Sequence, residues 1–270
     1  MRYDKMLQDK HILITAGASQ IGKACALLFA SHGGIVAIAD KDKEAGNDLL
    51  HQLKEYQEDS KFYHMDFTCS DSVRDTCDRY LSDFGAPDVW VNCEGVCHPA
   101  FIDEQEEASL REMINLNILS AFRIMKCLAG PMKEKQGGAI IQMISDYAVT
   151  GANGVSAYGA TMGGLFAMTN SFAMDYAPYG IRVNSILLGI SLSAMGDIIA
   201  DEMEDEEAEE FWVRTQMIPR RGRVQEVADT ALFLASDMGK LITAEGFFVN
   251  GGQNSIAHNQ HYRWNWRANA

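Results

Sequence analysis

From end to end the chain alternates short apolar runs with longer stretches of helical periodicity, and few architectures accept that pattern. The runs fall at 11–15 (HILIT), 35–39, 61–65, 89–91, 139–144, 181–187 and 247–250. Between them the spacing predicts helices over 21–32, 42–56, 70–84, 106–133, 156–176 and 224–236. A continuous apolar strand is buried on both faces, and parallel neighbours need a crossover that is usually a helix. The expectation is therefore an α/β fold with a doubly wound, Rossmann-like parallel sheet. Neither an internal repeat nor a Pro/Gly/Ser-rich linker interrupts the alternation, so residues 1–257 read as one domain.

Composition narrows the function classes. With 270 residues, 47% of them hydrophobic, the chain can bury a large core. A net charge of −14 argues against a general nucleic-acid binder, which would need basic surface for phosphates. Residues 1–10 mix charges with apolar side chains unlike a signal peptide, and no apolar stretch approaches the ~18 residues of a membrane helix. The six cysteines form no CxxC pair and read as reduced thiols, which places the chain in the cytoplasm. Cys93, Cys97 and His98 follow no common zinc spacing, so no metal is expected.

Two segments depart from the alternation. Residues 201–210 (DEMEDEEAEE) hold eight acids in ten positions between apolar flanks that include Met195, Ile198, Phe211 and Trp212. A helix with a solvated acidic face is the plain reading. A helical flap over a pocket, about 190–217, is the sharper one. In the tail, 258–270, Tyr262, Trp264 and Trp266 fall on one side at period two, with Arg263 and Arg267 on the other. Docking on a neighbouring subunit would cover those rings.

In an open parallel sheet, ligands bind beyond the carboxyl ends of the strands, where the first turn meets a helix N-terminus. That turn here runs Thr15-Ala16-Gly17-Ala18-Ser19-Gln20-Ile21-Gly22. Asp40 ends the second run, Asp66 follows the third, and Asn92-Cys93-Glu94-Gly95 follows the fourth. Asn117 lies in MINLN, Ser145 precedes Tyr158 by 13 positions, and YGATM ends at Met162. Taken together these landmarks, over about residues 8–253, resemble the short-chain dehydrogenase/reductase family, with its TGxxxGxG turn, NNAG, helix asparagine, serine and YxxxK.

The resemblance implies a catalytic set of Tyr158 as acid/base, Ser145 as holder of the substrate oxygen and Asn117 in a water-linked proton path. It implies cofactor contacts from Gly17, Ser19, Gln20, Ile21, Gly22, Asp40, Asp66, Asn92, Gly95 and Met162. A carboxylate at Asp40 suits the two ribose hydroxyls and repels a 2′-phosphate, so NAD(H) is expected over NADP(H); the neighbouring Lys41 keeps the second option open. Met162 replaces the lysine that would lower the tyrosine's pKa from about 10. Ala16 and Gln20 replace turn glycines, Glu94 replaces an alanine, Leu188-Gly189 replaces Pro-Gly, and Asn250 stands where aspartate is common. The expected function is interconversion of a secondary alcohol and a ketone on a small molecule, with an apolar substrate favoured by the apolar residues of the flap. A non-redox isomerase or dehydratase and a non-catalytic subunit are the alternatives. The long helices at 106–133 and 156–176 imply a homo-oligomer, a tetramer by family analogy.

Overall fold

The computed structural model describes residues 4–192 and 215–255. Seven strands form one parallel sheet: β1 (His11–Thr15), β2 (Ile35–Asp40), β3 (Lys61–His64), β4 (Val89–Asn92), β5 (Gly138–Ser145), β6 (Ile181–Leu188) and β7 (Gly246–Val249). Their order is β3-β2-β1-β4-β5-β6-β7, so the winding direction reverses between β1 and β4. The helices are α1 (Gln20–Ser31), α2 (Lys43–Lys54), α3 (Ser70–Phe84), α4 (Glu107–Met113), α5 (Ser120–Lys135), α6 (Ser156–Tyr176) and α7 (Val224–Ala235). The doubly wound α/β expectation is met.

Strand side chains alternate between two cores, as a pleated strand requires. Ile12, Ile14, Val36, Ile38, Val89 and Val91 point to one face, where α1 and α7 pack with Phe29, Ala228 and Leu232. Leu13, Ala37, Trp90 and Ile140 point to the other, against Tyr80, Ile124 and Leu128 of α3 and α5. Along this second face a polar chain crosses three strands. Trp90 Nε1 donates to Thr15 Oγ1 at 3.2 Å, Thr15 Oγ1 donates to Asn92 Oδ1 at 2.8 Å, and Asn92 Nδ2 donates to Gln142 Oε1 at 2.8 Å. All four residues are buried.

The sequence reading joined α4 and α5 into one helix. A π-helical stretch, Ile114–Leu119, separates them and carries Asn117. One-turn π segments of this kind often accompany functional sites, because they turn a side chain away from its α-helical direction. The proposed flap lies almost wholly outside the described residues, and so do the acidic run 201–210 and the aromatic tail. Among the described residues no helix is long and apolar enough to cross a membrane.

Candidate active site

A cleft of about 320 Å³ opens at the carboxyl ends of β1, β4, β5 and β6, beside the point where the winding reverses. Such a position is where this topology leaves room for a ligand. The start of α1 forms one end through Ser19, Gln20 and Ile21; Ser145, Tyr158 and Met162 form the other. Glu94 and Gly95 lie along the wall.

The turn from β1 into α1 is tight. A Cβ on Gly22 would stand 2.3 Å from the Ala16 carbonyl oxygen, and one on Gly17 would stand 2.7 Å from Ile38 Cβ. Both glycines thus let the turn fold onto itself and onto β2. Ala16 takes φ +51°, the left-handed region that side chains disfavour, so the missing first glycine is tolerated at a cost in backbone strain. Ser19 caps α1, accepting from Gly22 N at 3.2 Å. Asp40 is almost fully buried; its two carboxylate oxygens accept from Ala18 N and Asp42 N, each at 2.9 Å. It braces the turn, and each oxygen keeps a lone pair.

At the other end, Ser145 closes β5 and Tyr158 sits in the first turn of α6. Burial is the main influence on Tyr158 and pushes its hydroxyl well above the usual phenol range; the Ser145 hydroxyl acts against that shift by hydrogen bonding. No Lys or Arg lines the cleft among the described residues. Met162, where a lysine would stand in the motif, is 2% exposed and packs with Ala121, Ile144 and Leu165. Its sulfur accepts from Ser145 N at 3.5 Å, so the thioether fixes the serine's backbone.

Asn117 stands behind this wall. Its Oδ1 accepts from Val96 N at 2.8 Å, while Nδ2 donates to Val96 O and Thr161 Oγ1, each at 2.9 Å. Thr161 Oγ1 in turn donates to Tyr158 O at 2.8 Å. This amide therefore joins the loop after β4 to the helix that carries the tyrosine.

Of the other expected residues, Asn92 lies beneath the cleft with its amide committed to Thr15 and Gln142. Asp66 is away from it, accepting from the backbone and hydroxyl of Thr68, which lowers its pKa. His98 pairs with Glu112 at 3.0 Å and does not line the cleft, whereas Cys93 and Cys97 do. Asp146 escaped the sequence reading. It is completely buried next to Ser145, and burial raises its carboxyl to about 6 despite a 3.1 Å hydrogen bond from Asn250 Nδ2. The motif comparison gave no hint of it, because its burial comes from long-range packing.

The groove fits a nicotinamide dinucleotide at its pyrophosphate end. It begins at the N-terminus of α1, where Ser19, Gln20 and Ile21 line it and the backbone N–H groups of a helix's first turn suit a phosphate. At the reacting end the chain offers two hydroxyls and an apolar Met162.

The enoyl-(acyl carrier protein) reductase family model matches residues 15–254. The chain belongs to the short-chain dehydrogenase/reductase family of NAD(P)-dependent oxidoreductases. Among its relatives is the 3-oxoacyl-(acyl-carrier-protein) reductase FabG of Thermotoga maritima, 30% identical over 246 residues, which are 91% of this chain and 98% of that one. Secoisolariciresinol dehydrogenase of Forsythia intermedia is 30% identical over 251 residues, 92% of this chain and 90% of that protein. The crystal structure of gox2181 superposes with a TM-score of 0.87 at 26% identity, covering 95% of this chain and 100% of that one. A gluconate 5-dehydrogenase from Burkholderia cenocepacia, solved with NADP and tartrate, shares the fold with a TM-score of 0.87 at 24% identity, covering 95% and 100%.

Proposed function

We propose that the protein reduces the carbonyl of a small molecule to a secondary alcohol, and more slowly reverses that reaction, with NAD(H). The carrying observation is the convergence of the Ser145 and Tyr158 hydroxyls on one cleft that starts at the α1 N-terminus. The cofactor, when bound, supplies or accepts the hydride. The chain's own part is to hold the carbonyl oxygen on Ser145 and Tyr158 and to deliver the phenolic proton to it as charge develops. A phenol whose pKa burial raises keeps its proton at neutral pH. That favours its use as an acid, hence reduction; as a base for alcohol oxidation it needs alkaline conditions.

Gly17, Gly22 and Ser19 would shape the turn, with Ser19, Gln20 and Ile21 facing the pyrophosphate. Asp40 would accept from ribose hydroxyls, which supports NAD(H) over NADP(H). Gly95 and Met162 would flank the nicotinamide end, Asp66 would stand near the adenine, and Asn92 would support the floor. Asn117 is a positioning residue in this reading. Val96, Val155, Leu188 and Leu192 make the lining largely apolar, which suits an apolar substrate. Phe122 and Met174 are 45% and 78% exposed on α5 and α6, which supports a homo-oligomer formed through these helices, a tetramer by family analogy. The six free thiols suit a cytoplasmic protein.

Calorimetric titration with NAD⁺, NADH, NADP⁺ and NADPH tests the cofactor, and a carbonyl screen followed at the reduced-nicotinamide band tests the reaction. Tyr158→Phe should abolish turnover while leaving nucleotide binding intact; retained turnover refutes the assignment. Met162 favours one second reading, acid–base chemistry without redox, because its buried thioether brings no cation to the tyrosine. Turnover by enzyme stripped of nucleotide would select that alternative.

A further inference from the structure

We infer that Glu94 couples dinucleotide binding to proton uptake, so that the cleft accepts its anionic cofactor with Glu94 neutral. The inference rests on the cofactor reading above and adds a residue to it. Glu94 follows β4 at the point where the sheet's winding reverses, and it shares the wall with Ser19, Gln20 and Ile21. Its position is held from below, where its backbone N–H donates to Asn92 Oδ1 at 3.4 Å. A ligand whose phosphates seat on the α1 N-terminus brings two negative charges along the same wall as this carboxyl. Filling the cleft also removes water that would screen the repulsion.

Two groups favour the Glu94 charge, the Lys41 ammonium and the Gly95 backbone N–H, and together they do not offset its burial. From the end of β2 come Asp40 and Lys41, opposite in sign, and Asp40 already bonds the turn. The Cys93 thiol adjoins it, and its hydrogen bond with Cys25 of α1, together with burial, holds that thiol protonated. Cys97, Tyr147 and Tyr158 also line the cleft, and burial holds their thiol and hydroxyls protonated. Burial likewise moves the Glu94 carboxyl up to about 7. Between pH 6 and pH 8 its protonated fraction then falls about tenfold, and the affinity for an anion that needs that form falls with it.

The test is titration of wild type and Glu94→Gln with NADH at pH 6, 7 and 8, followed by nicotinamide fluorescence. Calorimetry at pH 8 in two buffers of different ionisation enthalpy then counts protons. NADH is the probe because its pyrophosphate does not titrate in this range. Wild type should bind about tenfold more tightly at pH 6 than at pH 8 and take up nearly one proton per NADH at pH 8. Glu94→Gln should bind with the same affinity throughout and take up none. Asp146→Asn should keep the wild-type slope. A slope that persists in Glu94→Gln, or wild-type affinity that is flat with pH, overturns the inference and leaves the cofactor reading standing. Failure of both proteins to bind NADH at any pH overturns both.

Discussion

Replacing Glu94 by Gln should stabilise the protein, and by an amount that grows with pH. Its carboxyl moves from an ordinary 4.5 to about 7, chiefly because the cleft wall removes its water. At about 1.4 kcal/mol per tenfold change in proton affinity, the ionised group costs roughly 3 kcal/mol of folding free energy. Between 4.5 and 7 the folded state holds more protons than the unfolded chain. The stability contributed by the protonated form is therefore fully present below 4.5 and is lost as pH rises through about 7. The cost is about 1 kcal/mol at pH 5 and about 3 kcal/mol at pH 8. The amide of the Glu94→Gln variant does not titrate, so the stability difference between variant and wild type should widen by about 2 kcal/mol or slightly more over that range. Urea denaturation at pH 5 and pH 8, at one protein concentration and without nucleotide, reads it directly. An equal difference at both pH values would show that Glu94 is well solvated and would refute the reasoning.

Ala16→Gly should raise stability by roughly 0.5 kcal/mol, because relief of about 1–2 kcal/mol of left-handed strain outweighs the loss of a buried methyl worth about 0.8 kcal/mol; a lower urea midpoint contradicts this. Asn117→Ala orphans the Val96 N–H and C=O and should cost about 3 kcal/mol. Amide hydrogen exchange at Val96 should accelerate, and unchanged protection there counts against the clamp. Met162→Lys puts an ammonium into an apolar cluster, which depresses the lysine's pKa below 10.4. Its cost, about 3–5 kcal/mol, should be full at pH 7 and fade as pH rises toward 10, because the folded state holds fewer protons than the unfolded one. The lysine is charged only below its depressed pKa, so the gain in alcohol oxidation should appear near neutral pH, and oxidation unchanged there would argue that residue 162 does not reach Tyr158.

The strands were legible because each is an apolar run buried on two faces. The reading matched β1 at both ends and β6 to one residue, and α3 and α6 fell at the periods their sequences display. The π-helical stretch was not legible. Its sequence, INLNIL, carries no signal that distinguishes a changed hydrogen-bond pattern from an ordinary helix. Ser145, Tyr158 and Asn117 could be picked out by their resemblance to the family's motifs, and Met162 by its place where that motif has lysine. What surrounds them could not. Whether Asp146 is buried, or Glu94 deprived of water, depends on segments such as 250–254 and 19–21 that are remote in sequence. That the Asn92 amide joins Thr15 and Gln142 likewise follows from which strands neighbour it.

The polar chain Trp90–Thr15–Asn92–Gln142 bears on how the chain rejects wrong folds. Its hydrogen bonds exist only when Thr15 lies opposite Asn92 and Asn92 opposite Gln142, the pairing actually present. Sliding β1 by one residue along β4 would turn these groups toward aliphatic neighbours. Each buried polar group left without a partner costs about 1–3 kcal/mol. A sheet with β1 and β4 out of register, or with another strand between β4 and β5, would lose several such bonds at once. Apolar strands of similar length pair with one another almost interchangeably; these four side chains supply the discrimination, and they set the strand ends whose alignment places the turn after β1 opposite Ser145.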